Sequence, residues 1–331
     1  MKQNKIQLLL LLLIILICCP NFAMAQRADK LTLKFAHVHP ADPINACIHF
    51  QALKMRDLLK DKGIDIQVFP ASQLGNQRDI EEQMRLGSID LNSGGTSTFT
   101  TLAPKLGIVD MAYIWKDYDY VHKVLDGPIG TELSKTLLPT KLRVLAYSDS
   151  WGFRNVGTTK KRVAKLEDLK NLKIRTIQAP VCIGTLKALG AAPTPMAFGE
   201  IYTALQTNVI DGYEHDTPTS HAYNFDEVIK YYALTEHMFG PLIMVISEIT
   251  WQKLTDEQKR LVEQAAIESA KAERALAPIR EKENMEAMRK RGVEIIKIDK
   301  QPFINAVQSF NNDFAKQLGA EDIYQKILKG K

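Results

Sequence analysis

The sequence predicts an α/β protein of two lobes, on three observations. Alternating apolar segments and amphipathic segments follow one another twice along the chain, over residues 31–91 and again over 143–212. The chain has 331 residues, more than one hydrophobic core usually organises. No internal repeat and no Gly/Ser-rich tether is present, so the lobes are expected to be joined by strands that cross between them.

At the start, Lys2 and Lys5 flank an apolar run over residues 6–17 broken only by Gln7, and Ala23-Met24-Ala25 follows. This is the form of a secretory signal peptide cleaved after Ala25, and the run is shorter than the roughly 18–20 residues a spanning helix needs. The alternatives are an uncleaved anchor and a lipid attached at Cys18 or Cys19. Lipidation is disfavoured because Ile17, not a small residue, precedes Cys18.

In the mature chain, Leu31, Leu33 and Phe35 alternate with Thr32 and Lys34 as in a strand. Asp42-Pro43 opens a helix whose apolar side holds Ile44, Ile48, Met55 and Leu59. A second strand, Ile64-Ile66-Val68, stops at Pro70; a helix from about Arg78 stops at Gly87; Ile89-Asp90-Leu91 is a third strand. Strands spaced by single helices pair in parallel and favour ligands at their carboxyl ends. The loop Ser93-Gly94-Gly95-Thr96-Ser97-Thr98 sits at such an end.

The pattern resumes with strands at 143–147 and 172–176, helices at 180–189 and 198–207, and a strand at 209–212. Residues 255–291 form a long amphipathic helix, opened by the capping box Thr255-x-x-Gln258, closed by Gly292 and bent by Pro278. Such a helix can pack on both lobes. The expected division is 26–151 with 240–280 for the first lobe, and 152–239 with 281–331 for the second.

Composition excludes little. The formal charge of +5 falls to +3 once Lys2 and Lys5 leave, with both signs interspersed, so nothing suggests nucleic acid. Cys47 and Cys182 are read as free, buried thiols. The chain has no Gly-x-Ser-x-Gly elbow, no His-Glu-x-x-His, no Walker loop and no Gly-x-Gly-x-x-Gly after a strand. The 93–98 loop lacks the lysine of a nucleotide cradle; its hydroxyls and backbone N–H groups suit a polyol or a carboxylate, or an ordinary turn.

Glu214-His215-Asp216 with His221 can be drawn as a metal site, but two histidines six apart do not share a helix face. Ser148 or Ser150 with His215 would make a hydrolase, yet neither serine is on a nucleophile turn. Arg154 and Arg175 stand out more, each in or beside a strand in apolar or small surroundings. A buried guanidinium needs a partner. Either a nearby acid or a ligand carboxylate, gripped by two parallel hydrogen bonds, would serve.

At this point the chain resembles a family, the DctP-like solute receptors of tripartite ATP-independent periplasmic (TRAP) transporters. The resemblance is carried by Phe69-Pro70-Ala71-Ser72-Gln73-Leu74-Gly75, Gly87-Ser88-Ile89-Asp90, Leu169-Lys170-Asn171-Leu172-Lys173-Ile174-Arg175, Gly190-Ala191-Ala192-Pro193-Thr194-Pro195-Met196-Ala197-Phe198, and the stretch from Glu200 to Gly212. It implies a two-lobed periplasmic-binding-protein fold with hinge strands and a long helix across both lobes. It implies no enzyme, no cofactor and no metal. Arg175 falls on the arginine that clamps the ligand carboxylate, and Arg154 on a second that assists. Glu214, Gln178, Phe198 and, from the opposite lobe, Gly95, Thr96, Ser97 and Thr98 match the same cleft.

The chain departs from the family at Tyr213-Glu214-His215-Asp216, where His215 replaces an asparagine that hydrogen-bonds the carboxylate. An imidazole is expected to donate there instead, and to bring pH dependence near its reference pKa of about 6.5. The hydroxyls of Thr96, Ser97 and Thr98 and the Gln178 amide favour a sugar acid, a uronate or aldonate, over a C4-dicarboxylate or 2-keto acid. The partners implied are the small and large membrane permease subunits, with the receptor a periplasmic monomer. A periplasmic enzyme and a sensor subunit are the competing classes.

Overall fold

The structure, a computed structural model, describes residues 30–330; the expected signal peptide, with Cys18 and Cys19, lies outside them. In chain order the elements are β1 (Leu31–Ala36), α1 (Cys47–Leu59), β2 (Ile64–Phe69), α2 (Gln77–Arg85), β3 (Leu91–Gly95), α3 (Tyr118–Leu125), α4 (Pro128–Lys135), β4 (Leu142–Thr158), β5 (Lys173–Thr176), α5 (Pro180–Ala188), β6 (Ala192–Pro195), α6 (Ile201–Gln206), β7 (Gly212–His215), α7 (Thr217–Ala222), β8 (Tyr231–Ser247), α8 (Glu248–Trp251), α9 (Asp256–Lys290), β9 (Glu294–Lys297), α10 (Gln301–Gln317) and α11 (Glu321–Lys329).

The strands form one sheet in the order β2-β1-β3-β8-β4-β7-β5-β6, with β9 added to β8. Its two ends share a plan. In one, β1 pairs in parallel with β2 and β3, and β3 meets β8 antiparallel. In the other, β5 pairs in parallel with β6 and β7, and β7 meets β4 antiparallel. The plan repeats although no sequence repeat does, because each half solves the same problem of covering a short parallel sheet with its own crossover helices.

The long strands β4 and β8 run antiparallel through both halves, and their ladder breaks between Asp149 and Phe153. Residues 150–152 bulge there, opposite Gly240, with Trp151 and Gly152 at φ 58° and 125°. A Cβ on Gly152 would fall 1.9 Å from the Tyr118 hydroxyl, so the residue must be glycine. Pro241 has no N–H to donate, and it sits where regular pairing already fails.

Helix α9 fits the sequence reading closely: the Thr255 hydroxyl accepts from the Gln258 N–H, Pro278 lies inside, and Gly292 follows at φ 91°. It places Val262, Ala265, Ala266 and Ala277 in the core around β1, β2 and α1, and Met288 in the core around Tyr213, Phe225 and Tyr232. Cys47 and Cys182 are both buried and free. Among the described residues no helix is long and apolar enough to cross a membrane.

Several boundaries differ from the sequence reading. The helix expected from Asp42 begins at Cys47; Asp42 instead accepts from the backbone N–H groups of Ile44 and Asn45 in a turn, leaving Ile44 52% exposed. The strand expected at 209–212 is β7, starting at Gly212, because Asn208 at φ 58° ends α6 and Val209 stays in the turn, 57% exposed. The helix expected at 198–207 opens with a 3-10 turn, Phe198–Glu200. The strand expected at 89–91 begins at Leu91 and runs on to Gly95, taking up the first half of the 93–98 loop. Strand β4, expected over 143–147, continues to Thr158.

Candidate anion site

The carboxyl ends of β1, β3, β5, β6 and β7 converge on the β4–β8 crossing and enclose a cavity of about 360 Å³, within the size range of small-molecule sites. His39 after β1, Gly94 and Gly95 in β3 with Ser97 and Thr98 after it, and the start of α2 form one wall. Arg154, Arg175, Ile177, Gln178, Met196, Phe198 and His215 form the other. A Cβ at Gly94 would meet the Gln77 amide nitrogen at 2.6 Å, so a larger residue there would displace the Gln77 side chain. Contacts span the mouth: the Tyr223 hydroxyl donates to the Val38 carbonyl at 2.7 Å, and the His39 ring stacks on Phe198 with centroids 5.8 Å apart.

Arg175 lies in β5 and is buried. Its Nε and Nη2 both donate to the Met196 carbonyl, at 3.2 and 2.9 Å, and Phe198 lies beneath the guanidinium at 5.5 Å. Nη1 is buried and has no partner among the described residues. Burial draws the Arg175 pKa down to about 10, with Arg154 pressing the same way and Glu214 opposing. A cation so placed favours an anion that can reach it.

Arg154 is held differently. Its Nε and Nη2 grip the Glu214 carboxylate, Nη2 also donates to the Glu214 carbonyl at 2.9 Å, and the Thr176 hydroxyl donates to the same carboxylate at 2.8 Å. Burial works against both charges, but each outweighs it for the other, raising the arginine and lowering the acid. Arg154 therefore lines the cavity with its charge already answered by the protein.

His215 stands at the end of β7 with Nδ1 2.6 Å from Asp216 Oδ2. Burial, then Arg154, lowers its pKa below 6.5 against the pull of Asp216, so the ring is neutral at pH 7. Asp216 is also held low, chiefly by His215 against burial, and is ionised. Nδ1 also lies 3.0 Å from the Asp216 backbone N–H, so this one nitrogen either carries the ring proton toward Oδ2 or accepts the N–H.

Of the residues expected from the sequence, Arg154, Arg175, His215, Gln178, Phe198, Gly95, Ser97 and Thr98 line the cavity. Two stand behind the wall. Glu214 is spent on Arg154, and the Thr96 hydroxyl lies against Asp110 Oδ2 at 2.8 Å and the Pro241 carbonyl at 3.2 Å. Gln178 is exposed, and its carbonyl accepts from Arg78 across the mouth at 3.4 Å. His221 pairs with Asp226 at 2.7 Å, and no group of three or more His, Cys, Asp or Glu among the described residues could hold a metal ion. The Ser148 hydroxyl accepts from Gln51, and that of Ser150 donates to Asp216, each at distances of 2.9 and 2.8 Å.

Sequence reasoning missed His39, Asp110 and Arg78. Asp110 had a signal: an acid inside Ile108-Val109-Asp110-Met111-Ala112 is as conspicuous as an arginine beside a strand. Arg78 supplies a cation on the first wall, with Asp79 beside it.

A cleft between two α/β halves, lined by a buried guanidinium that keeps one donor unanswered, is the arrangement of a two-lobed receptor for an acidic solute. The profile of the bacterial extracellular solute-binding proteins, family 7, matches residues 35–317, and the chain belongs to that family, the receptors of TRAP transporters. It is 35% identical over 263 residues to the 2,3-diketo-L-gulonate-binding periplasmic protein YiaO of Escherichia coli K12, covering 78% of this chain and 80% of that one. It is 32% identical to the sialic acid-binding periplasmic protein SiaP of Vibrio cholerae, covering 77% and 79%. Among solved structures it is similar to a TRAP periplasmic solute-binding protein of Xanthobacter autotrophicus Py2 with bound β-D-galacturonate, at TM-score 0.84 and 35% identity, covering 90% and 99%. A counterpart from Polaromonas bound to D-erythronate gives TM-score 0.85 at 31% identity, covering 90% and 98%.

Proposed function

We propose that this chain captures a sugar-acid monoanion, a uronate or aldonate, in the cleft and releases it unchanged to the small and large permease subunits of a TRAP transporter. The observation that carries this reading is the buried Arg175 Nη1, lining the cavity without a protein partner. Hydroxyl partners for the rest of a sugar acid are at hand in Ser97, Thr98 and the His215 ring. The galacturonate and erythronate bound by similar proteins have this chemistry. We take the chain to be exported, with cleavage after Ala25, and to act as a monomer and not as an enzyme. Its lobes would divide at the β4 bulge, at Gly240 and near the bend of α9, and hinge there.

Thermal-shift screening of residues 26–331 against uronates, aldonates, C4-dicarboxylates, 2-keto acids and their neutral analogues tests the ligand class. At a hundred times its dissociation constant, a ligand of the native state adds about 2.7 kcal/mol of stability. A shift by sugar acids alone is the expected result. A shift by dicarboxylates alone would give Arg78 the role of second clamp, and a shift by neutral sugars alone would remove Arg175 from its role. Recovery of the acid unaltered after incubation separates a receptor from an enzyme.

A further inference from the structure

We propose that Asp110 is a specificity-determining residue: it stands in the wall as a neutral carboxylic acid, donating through Oδ2 to Thr96 and offering its other oxygen to a ligand hydroxyl. The proposal rests on the anion-receptor reading for its ligand but on local geometry for its protonation. Asp110 ends the 3-10 segment Pro104–Asp110, lines the cavity and is 2% exposed. One contact fixes its state. The Thr96 hydroxyl lies 2.8 Å from Asp110 Oδ2 and 3.2 Å from the Pro241 carbonyl.

A hydroxyl has one proton, and neither an ionised carboxylate nor a carbonyl has any. With Asp110 ionised, the one Thr96 proton can be donated fully to only one of the two acceptors. With Oδ2 protonated, the chain closes: Asp110 donates to Thr96, and Thr96 donates to Pro241. The surroundings agree. Burial pushes the Asp110 carboxyl up to about 8; the Thr96 hydrogen bond and Arg154 oppose this, and Glu214 adds to it. Arg154 is the cation that acts on it, and Glu214 has already answered that charge. The Cys182 thiol, also interacting with Asp110, is itself raised by burial and uncharged, while Arg175 and His215 share the cavity.

Two consequences follow for recognition. A protonated Asp110 adds no negative charge to a site that must take up an anion. Its free oxygen only accepts, so it suits a hydroxyl and gives nothing to a second carboxylate, which also only accepts. Ionisation adds a charge of the ligand's own sign to a water-poor wall, so affinity for an acid falls as pH rises through about 8.

The test has two arms. In the first, the side-chain carboxyls of ligand-free protein are followed by carbon NMR from pH 6 to 9.5 with aspartate labelling, and Asp110→Asn assigns the resonance. A carboxyl titrating near pH 8 that vanishes in the variant is expected; an Asp110 resonance ionised throughout overturns the proposal, whatever the protein binds. In the second, D-galacturonate affinity is measured at pH 7 and pH 9.5. The wild type is expected to weaken about tenfold, and Asp110→Asn to bind equally at the two pH values. An equal ratio in both proteins overturns the affinity role. If D-galacturonate binds neither protein at any pH, the ligand reading fails, and the NMR arm still decides the protonation of Asp110.

Discussion

Arg154 and Arg175 stand on strands separated by β7 alone, with 3% and 2% of each exposed, yet the protein treats their charges oppositely. Between them, on β7, sits the one carboxylate that Arg154 grips. Burial opposes both guanidiniums; for Arg154 the Glu214 pair overturns that effect, and for Arg175 it does not. A buried cation with its own acid belongs to the scaffold. A buried cation left with a carbonyl and an aromatic face belongs to whatever anion arrives.

The largest expected effect separates the two in stability. Glu214→Gln leaves Arg154 buried without its counter-charge and should cost about 3–5 kcal/mol in denaturant unfolding. Arg175→Ala removes a charge the fold does not neutralise, so the ligand-free protein should unfold at nearly the wild-type midpoint. If both variants lose stability equally, the contrast is wrong.

In affinity the order reverses. Arg175→Ala should weaken acid binding by roughly 30-fold to several-thousand-fold, the equivalent of about 2–5 kcal/mol. Calorimetric titration showing a loss below about fivefold would remove Arg175 as the clamp. Smaller still is the effect at His215. Its pKa is lowered in the folded protein, so the added charge appears only below about pH 6.5, and acid affinity should strengthen as pH falls below it. His215→Asn should flatten the profile there; a persisting slope would assign it to another group. Last comes Tyr223→Phe, which deletes the hydrogen bond to the Val38 carbonyl across the mouth. A loss of about 1 kcal/mol, appearing as faster ligand release in stopped flow, is expected; unchanged release would mean the mouth is held by the rings alone.

How much of this could be read from the sequence depended on whether the cue was local. Helix α9 announced itself through Thr255, Gln258, Pro278 and Gly292, each acting within a turn or two of its own position. Arg175 was conspicuous as a charge beside a strand. Strands β4 and β8 were not legible at full length, since Trp151-Gly152 and Gly240-Pro241 look like chain breaks and are in fact the bulge where the two strands cross. The pairing of Arg154 with Glu214 was equally hidden, because 60 positions separate the partners and only the β4–β7 register brings them together. The contact of His215 Nδ1 with Asp216 Oδ2 is set by the turn into α7, a matter of angles that residue names do not convey.

The crossing strands also set a timetable. Leu91 of β3 pairs with Ile246 of β8, so the first half of the sheet is unfinished until most of the chain has been synthesised, and α9 must follow to cover it. Pairings between such distant positions are slow to form, because a long loop must close before any contact rewards it. A nascent chain of this design stays open for much of its synthesis, a useful delay for any protein that has to be threaded through a membrane before it folds.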